Sequence, residues 1–108
     1  MSLDLGSCAL RETIIVNTCA SVYELIVLRG DEGAVLVRGG SHFTEFRRVL
    51  FAGSTAEGGS LQPRTIDTGL RMVFICADQA VLTSAVQSFT RRRRLSTPAR
   101  GGTQRPEL

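Results

Sequence analysis

Residues 21–38 read SVYELIVLRGDEGAVLVR, and this stretch decides the fold class. Its first half places apolar side chains at every second position, which is the period of a strand with one buried face. The GDEG at 30–33 is strong turn chemistry, and apolar residues then return. The stretch therefore predicts a β-hairpin with strands at 21–29 and 34–38.

Strands are also predicted on both sides of this hairpin. They are indicated by β-branched and apolar runs between glycine-rich or polar turns, at residues 12–18, 46–52, 61–67, 70–77 and 80–89. The last two are joined by a tight turn and form a second hairpin. Pro63 confines the 61–67 strand to a sheet edge, because proline cannot donate to a ladder. Residues 1–10 are expected to be a loose lead-in.

One stretch, residues 43–52, fits two structures. As a helix, it would be capped by Ser41 and ended by Gly53. As a strand, its side chains alternate over residues 46–52. We favour the strand because the rest of this part of the chain is β-like.

These short strands, five to six of which we expect to form the sheet, lie in about 80 residues with no helical segment between them, and they predict an all-β fold. A small closed or partly open antiparallel barrel is the arrangement we expect, because closure removes exposed strand edges. The pattern leaves the strand order open between an SH3-like and an OB-like topology.

The composition changes at Arg91. Up to Thr90 there are seven arginines and nine acidic residues, a net charge of −2, whereas residues 91–108 hold six arginines and one glutamate, a net charge of +5. The last residues are rich in Pro, Gly, Ser, Thr and Arg, which is typical of disorder. We therefore predict a β-barrel domain at 1–90 and a disordered, arginine-rich tail at 91–108.

This tail suggests contact with nucleic acid. A guanidinium group suits phosphate, and arginines of this kind contact the backbone without reading sequence. The predicted contacts are Arg91, Arg92, Arg93, Arg94 and Arg100.

In the body, aromatic and basic residues interleave at one place, HFTEFRR at 42–48. Aromatic rings beside cations are the pattern of a base-stacking surface, so Phe43, Phe46, Arg47 and Arg48 form a candidate binding face. The alternative interpretation is a pair of core phenylalanines beneath solvated arginines.

The sequence therefore predicts a non-catalytic binding module with sequence-independent nucleic-acid contact. The tail could instead dock an acidic protein partner. A further alternative is an assembly component whose barrel self-associates through an edge strand, with the Pro63 segment as the best candidate.

Catalysis, metal binding and cofactor binding are not expected. His42 is the only histidine, so any Ser–His or Cys–His pair would have to include it. No nucleophile elbow, HExxH or Walker A pattern is present in the sequence, and the three cysteines show no ligand-like spacing.

No membrane partner is expected either. No apolar run approaches the roughly 20 residues of a membrane helix. The first ten residues do not follow the pattern of a signal peptide, and an odd number of cysteines fits a reducing compartment. The sequence thus predicts a cytoplasmic location.

Overall fold

The computed structural model describes residues 1–56 and 58–92. This part of the chain contains nine strands and one 3-10 helix, and none of its helical segments has the length and hydropathy needed to cross a membrane. In chain order the elements are β1 (Ser2–Asp4), the 3-10 helix (Leu5–Ser7), β2 (Thr13–Thr18), β3 (Val22–Arg29), β4 (Ala34–Gly39), β5 (Phe43–Thr55), β6 (Leu61–Pro63), β7 (Thr65–Asp67), β8 (Arg71–Cys76) and β9 (Gln79–Arg92).

Within the described residues, six strands close into a hydrogen-bonded ring in the order β2, β3, β4, β5, β8, β9 and back to β2. Each strand is antiparallel to both of its neighbours. The predicted all-β barrel is confirmed. The order follows the sequence around the ring, which is an up-and-down arrangement and differs from the Greek key of an OB-fold.

The ring closes because its two longest strands change partner along their length. In β5, the part up to Leu50 pairs with β4, and the part from Leu50 onward pairs with β8. In β9, the first half pairs with β8 and the second half with β2. The preference for a strand at 46–52 is confirmed, and the strand is longer than predicted.

The barrel interior is filled by the inward residues of the alternating strands. Phe74 lies at its centre, with its ring centroid 5.5 Å from that of Phe51, 5.7 Å from Phe43 and 6.3 Å from Tyr23. The fully buried aliphatic residues around these rings include Ile14, Val16, Leu25, Val27, Val35, Val37 and Met72. Every strand of the ring thus contributes core side chains at alternate positions. The alternation is interrupted within the two long strands, β5 and β9.

The N-terminal residues are not a loose lead-in, so that prediction is wrong. In β1, Leu3 pairs with Ile66 of β7, and both side chains are buried. The next buried residue, Leu5, donates its backbone N–H to the carbonyl of Arg64 at 2.8 Å. A Cβ on Gly30 would lie 2.0 Å from the Leu5 carbonyl oxygen, so the β3–β4 turn needs glycine to approach this segment. The segment covers one end of the barrel.

The predicted strand at 61–67 is two short strands that meet at Arg64, whose φ is 53°. β6 lies at the edge of the seven-stranded sheet, next to β5, so the edge position predicted for Pro63 is confirmed. β6 is only three residues long. Self-association through it stays a prediction.

The folded part also extends further than predicted at its C-terminal end, because Arg91 and Arg92 belong to β9 and pair with β2. With the boundary after Arg92, the body holds nine arginines and nine acidic residues, and residues 93–108 carry a net charge of +3. The predicted disorder of the remaining tail lies outside the described residues.

Candidate functional site

The run of arginines is divided by the pleat of β9. Arg91 is opposite Ile14, which is fully buried, and Arg92 is opposite Thr13 on the outer face. Successive side chains of a strand point to opposite faces of the sheet. Two adjacent arginines therefore have different surroundings.

Arg91 forms an ion pair with Glu12, whose side chain is 0 % exposed. The guanidinium donates through Nε to Oε2 and through Nη2 to Oε1, the second at 3.1 Å, and Oε1 also accepts from the backbone N–H of Ala9 at 3.0 Å. Hydrogen bonding to the carboxylate raises the pKa of Arg91. Arg91 is thus a strand residue paired with Glu12, so its predicted place in a disordered tail is wrong, while its contact with phosphate stays a prediction.

Arg92 lies at one end of a groove of about 380 Å³ on the outer face of β2, β3 and β4. We call this the outer groove. It is lined by Arg11, Thr13, Glu24, Ile26, Leu28, Leu36 and Arg92. The aliphatic residues among these are half-buried, which leaves their outer surfaces accessible.

The charged residues that line the outer groove differ in whether they have an ion-pair partner among the described residues. Glu24 is neutralised by Arg38, whose Nη2 lies 2.7 Å from Oε1. Arg11 and Arg92 form no ion pair with any described residue, in contrast to Arg38 and Arg91. The groove therefore presents an apolar floor bordered by Arg11 and Arg92, two positive charges without an ion-pair partner among the described residues.

Arg11 adopts an unusual backbone conformation. Its φ is 66°, in the left-handed region that costs a non-glycine residue roughly 1 kcal/mol. Its backbone N–H donates to the carbonyl of Val27 at 2.6 Å, which fixes the turn before β2 to the middle of β3. Glycine adopts this conformation more easily, so glycine at position 11 would remove the side chain and keep the turn.

The candidate binding face at 42–48 does not form as predicted. Phe43 is 2 % exposed and packs edge-to-face on Phe74, so it belongs to the core. Phe46 is 37 % exposed, but the guanidinium carbon of Arg38 lies 4.3 Å from its ring centroid. Phe43 is therefore closed to a nucleic-acid base, and Phe46 keeps an exposed surface beside Arg38.

Arg47 and Arg48 point to different sides of β5. Arg48 is opposite Leu36 on the outer face, and Arg47 is opposite the fully buried Val37. Of the other predicted contacts, Arg93, Arg94 and Arg100 lie outside the described residues. The structure thus brings Arg92 and Arg48 to the outer face and separates them from Arg47 and Arg91.

A second cavity of about 340 Å³ lies at the other end of the barrel, between the start of β5 and the β8–β9 turn. His42, Arg47, Cys76 and Asp78 all contribute to its lining. Within residues 1–56 and 58–92, no group of three or more metal-ligating side chains comes together.

Two protonation equilibria are expected to make the fold sensitive to alkali. Burial raises the pKa of the Cys8 thiol, helped by the nearby charge of Glu12, and burial also raises the pKa of the Tyr23 hydroxyl. The folded protein therefore holds both protons more tightly than the unfolded chain. Their stabilising contribution is present below the unfolded pKa values, roughly 8.5 and 10, and is lost as pH rises above them.

We expect the melting temperature to fall from about pH 8.5 to pH 11. Arg91 stays charged throughout this range, because its pKa is raised as well. The measurement is thermal unfolding by circular dichroism against pH for the native chain and for the Cys8→Ala/Tyr23→Phe double variant. The double variant should show the flatter profile; parallel profiles would show that these groups do not carry the effect.

Sequence reasoning missed Arg11, Thr13, Ile26 and Leu36 as members of the site. A signal was present, since the alternation over residues 21–29 leaves Ile26 and Leu28 on the face opposite to the core. What the sequence did not contain was the lateral alignment of these residues with Arg92, because that alignment depends on the register of several strands.

No family model matches this chain, and no curated protein or solved structure shows significant similarity to it.

Proposed function

We propose that this protein is a non-catalytic binding module whose outer groove docks an acidic, partly apolar segment of a partner protein. The observation that carries the proposal is an aliphatic floor beside the guanidinium groups of Arg11 and Arg92, which form no ion pair within the described part of the chain. The floor consists of Ile26, Leu28 and Leu36. Covering aliphatic side chains on the outside of a closed barrel with a partner is favourable, because apolar surface is removed from water.

The charges decide which partner fits. A carboxylate that reaches Arg11 or Arg92 would form charge-assisted hydrogen bonds with its guanidinium group. Glu24 would not oppose it, because Arg38 already neutralises this carboxylate. An acidic side chain followed by apolar ones therefore complements the outer groove in both charge and hydropathy.

A titration followed by amide NMR tests this proposal. The probe is a capped peptide, Glu-Glu-Leu-Ser-Leu-Gln, and its control is Gln-Gln-Leu-Ser-Leu-Gln. We expect the acidic peptide to shift the amides of Thr13, Ile26 and Leu36 in a saturable way. Equal binding of both peptides, or no saturable shift at millimolar peptide, would contradict the proposal.

Variants of the two groove arginines extend this test. Arg92→Ala and Arg11→Gly should each lower the affinity for the acidic peptide by about three- to fivefold. This is the usual contribution of an exposed charge contact. Glycine is chosen at position 11 because it keeps the left-handed turn. Arg47→Ala is the matched control, since Arg47 lines the other cavity.

Nucleic-acid binding is the second candidate, and one observation favours it. Arg92 is exposed at the end of β9, and the chain continues into Arg93 and Arg94. Against it, the phenylalanine and tyrosine rings of the described residues are buried or half-buried except for that of Phe46, and Arg38 lies over the Phe46 ring.

The same NMR titration with a random-sequence single-stranded RNA separates the two candidates. Phosphate contact by four to five arginines would give a logarithmic salt slope of roughly −3. Nucleic acid would be favoured over a protein partner by three results together. RNA binding has a slope of that size, truncation after Arg92 removes the binding, and the acidic peptide does not bind.

A further inference from the structure

The side of the barrel across from the outer groove carries an exposed apolar surface. It is built on β8, which lies opposite β3 in the ring, and on the parts of β5 and β9 that pair with β8. We call it the β8 face, and its five side chains are all aliphatic: Leu50, Val73, Ile75, Ala80 and Leu82. Leu50 and Leu82 are 48 % and 47 % exposed, so this apolar surface is open to water in the single chain.

The strand register arranges the β8 face in two short rows, each crossing three neighbouring strands. The first row is Leu50, Ile75 and Ala80, and the second is Gly53, Val73 and Leu82. The large residue is on β5 in the first row and on β9 in the second. Position 53 has to stay small, because a Cβ there would lie 2.1 Å from the carbonyl oxygen of Gln62.

This distribution of sizes fits a second copy of the same surface. A two-fold axis parallel to β8 would lay each row against the same row of the other copy in reverse order. Leu50 would then face Ala80 of the partner subunit, and Leu82 would face Gly53 of the partner subunit. Two-fold interfaces are self-complementary in this way, because both copies use the same patch. Large residues therefore meet small ones, and Ile75 and Val73 of the two copies meet at the centre.

The charges at one end of the β8 face fit the same axis. Arg48 is exposed on β5, two residues before Leu50, and Asp78 is exposed in the turn that joins β8 to β9. Neither side chain forms an ion pair with a described residue. An axis parallel to β8 keeps like ends together and exchanges the β5 side for the β9 side. It would thus place Arg48 against Asp78 of the partner subunit, twice in each dimer.

We infer that the β8 face binds a second copy of this chain in a two-fold dimer. The aliphatic rows form the centre of the contact, and two ion pairs between Arg48 and Asp78 form one end. The outside of a barrel is convex, and five aliphatic side chains are far fewer than the roughly 20–30 residues per side of a standard interface, so the dimer is weak. This inference is independent of the proposed function, because the outer groove lies on the opposite side and stays accessible.

Sedimentation equilibrium of the full chain at increasing concentration, with amide NMR spectra of the same samples, tests this dimer. We expect the mass to rise towards that of two chains and the amides of Leu50, Ile75 and Leu82 to shift. Leu50→Ser and Leu82→Ser should each weaken dimerisation by about tenfold or more, since each leucine is covered twice in the dimer. Leu10→Ser is the matched control, because Leu10 is 68 % exposed and lies outside the β8 face.

A charge exchange tests the two-fold arrangement itself. Arg48→Asp and Asp78→Arg should each weaken the dimer by about three- to tenfold at low salt, and the double variant Arg48→Asp/Asp78→Arg should restore it. All these positions are exposed, and thermal melting of dilute samples checks that each variant folds. The inference is overturned if the chain stays monomeric to about 1 mM. It is equally overturned if the leucine variants dimerise as the native chain does, or if the double charge variant is no better than the single ones.

Discussion

Replacing Arg91 by alanine is expected to lower the free energy of unfolding by about 3 kcal/mol, whereas Arg92→Ala should change it by less than about 0.5 kcal/mol. The first substitution leaves the Glu12 carboxylate, which has no exposed surface, without its guanidinium partner. We take the lower end of the usual range because 34 % of the Arg91 side chain is exposed, so water can reach part of the site.

A double substitution separates the cost of removing only the guanidinium from the value of the ion pair itself. In Glu12→Met/Arg91→Met both charged groups are replaced by apolar side chains. No carboxylate is then buried at position 12, and the loss of the guanidinium no longer carries that cost. We expect this variant to be more stable than Arg91→Ala. Urea unfolding of all three variants measures these differences. Equal losses for Arg91→Ala and Arg92→Ala would contradict the assignment.

Phe43→Ala is expected to cost about 3–4 kcal/mol, and Phe46→Ala less than about 1 kcal/mol. Phe43 fills space beside Phe74 in the core, so its truncation leaves a cavity among buried rings. Phe46 lies on the surface and loses mainly its contact with the guanidinium of Arg38.

These two phenylalanines are three positions apart in the same sequence stretch, so the comparison is well matched. Urea midpoints, with the slopes checked for equality, give the two values. A loss for Phe46→Ala as large as that for Phe43→Ala would mean that the start of β5 is packed differently from the structure described above.

The local part of the fold could be predicted from the sequence. The hairpin expected at 21–38 is present as β3 and β4, and the second hairpin is present as β8 and β9. Alternation and turn chemistry are both contained within a few residues, so a single sequence shows them. The edge position of Pro63 follows from its missing N–H, which is a property of one residue.

The non-local part could not be predicted. Leu3 pairs with Ile66, which is distant in the sequence, and Glu12 is hydrogen-bonded to Arg91 at a separation of 79 residues. Nothing in either short segment indicates its partner. The arginine run looked uniform for the same reason, because only the pairing of β9 with β2 shows that Arg91 and Arg92 face opposite sides.

The candidate site was predicted in fragments. Arg92 and Arg48 were both named as binding residues, but from two separate motifs. Only Arg92 lines the outer groove, and its alignment with Thr13, Ile26 and Leu36 requires the register of three strand pairs. Phe43 was misassigned because a core phenylalanine and a stacking phenylalanine have the same appearance in a sequence beside arginines.

The central claim is that neighbouring arginines of β9 have opposite roles, Arg91 holding the fold and Arg92 facing a partner. Its most direct test is the Nε–Hε NMR spectrum of the arginine side chains during titration with the peptide Glu-Glu-Leu-Ser-Leu-Gln. The Arg91 signal should exchange slowly with solvent and stay in place, because Nε donates to the buried Glu12 carboxylate, and the Arg92 signal should move with added peptide. An Arg91 signal that exchanges rapidly, or that moves together with that of Arg92, would contradict this account.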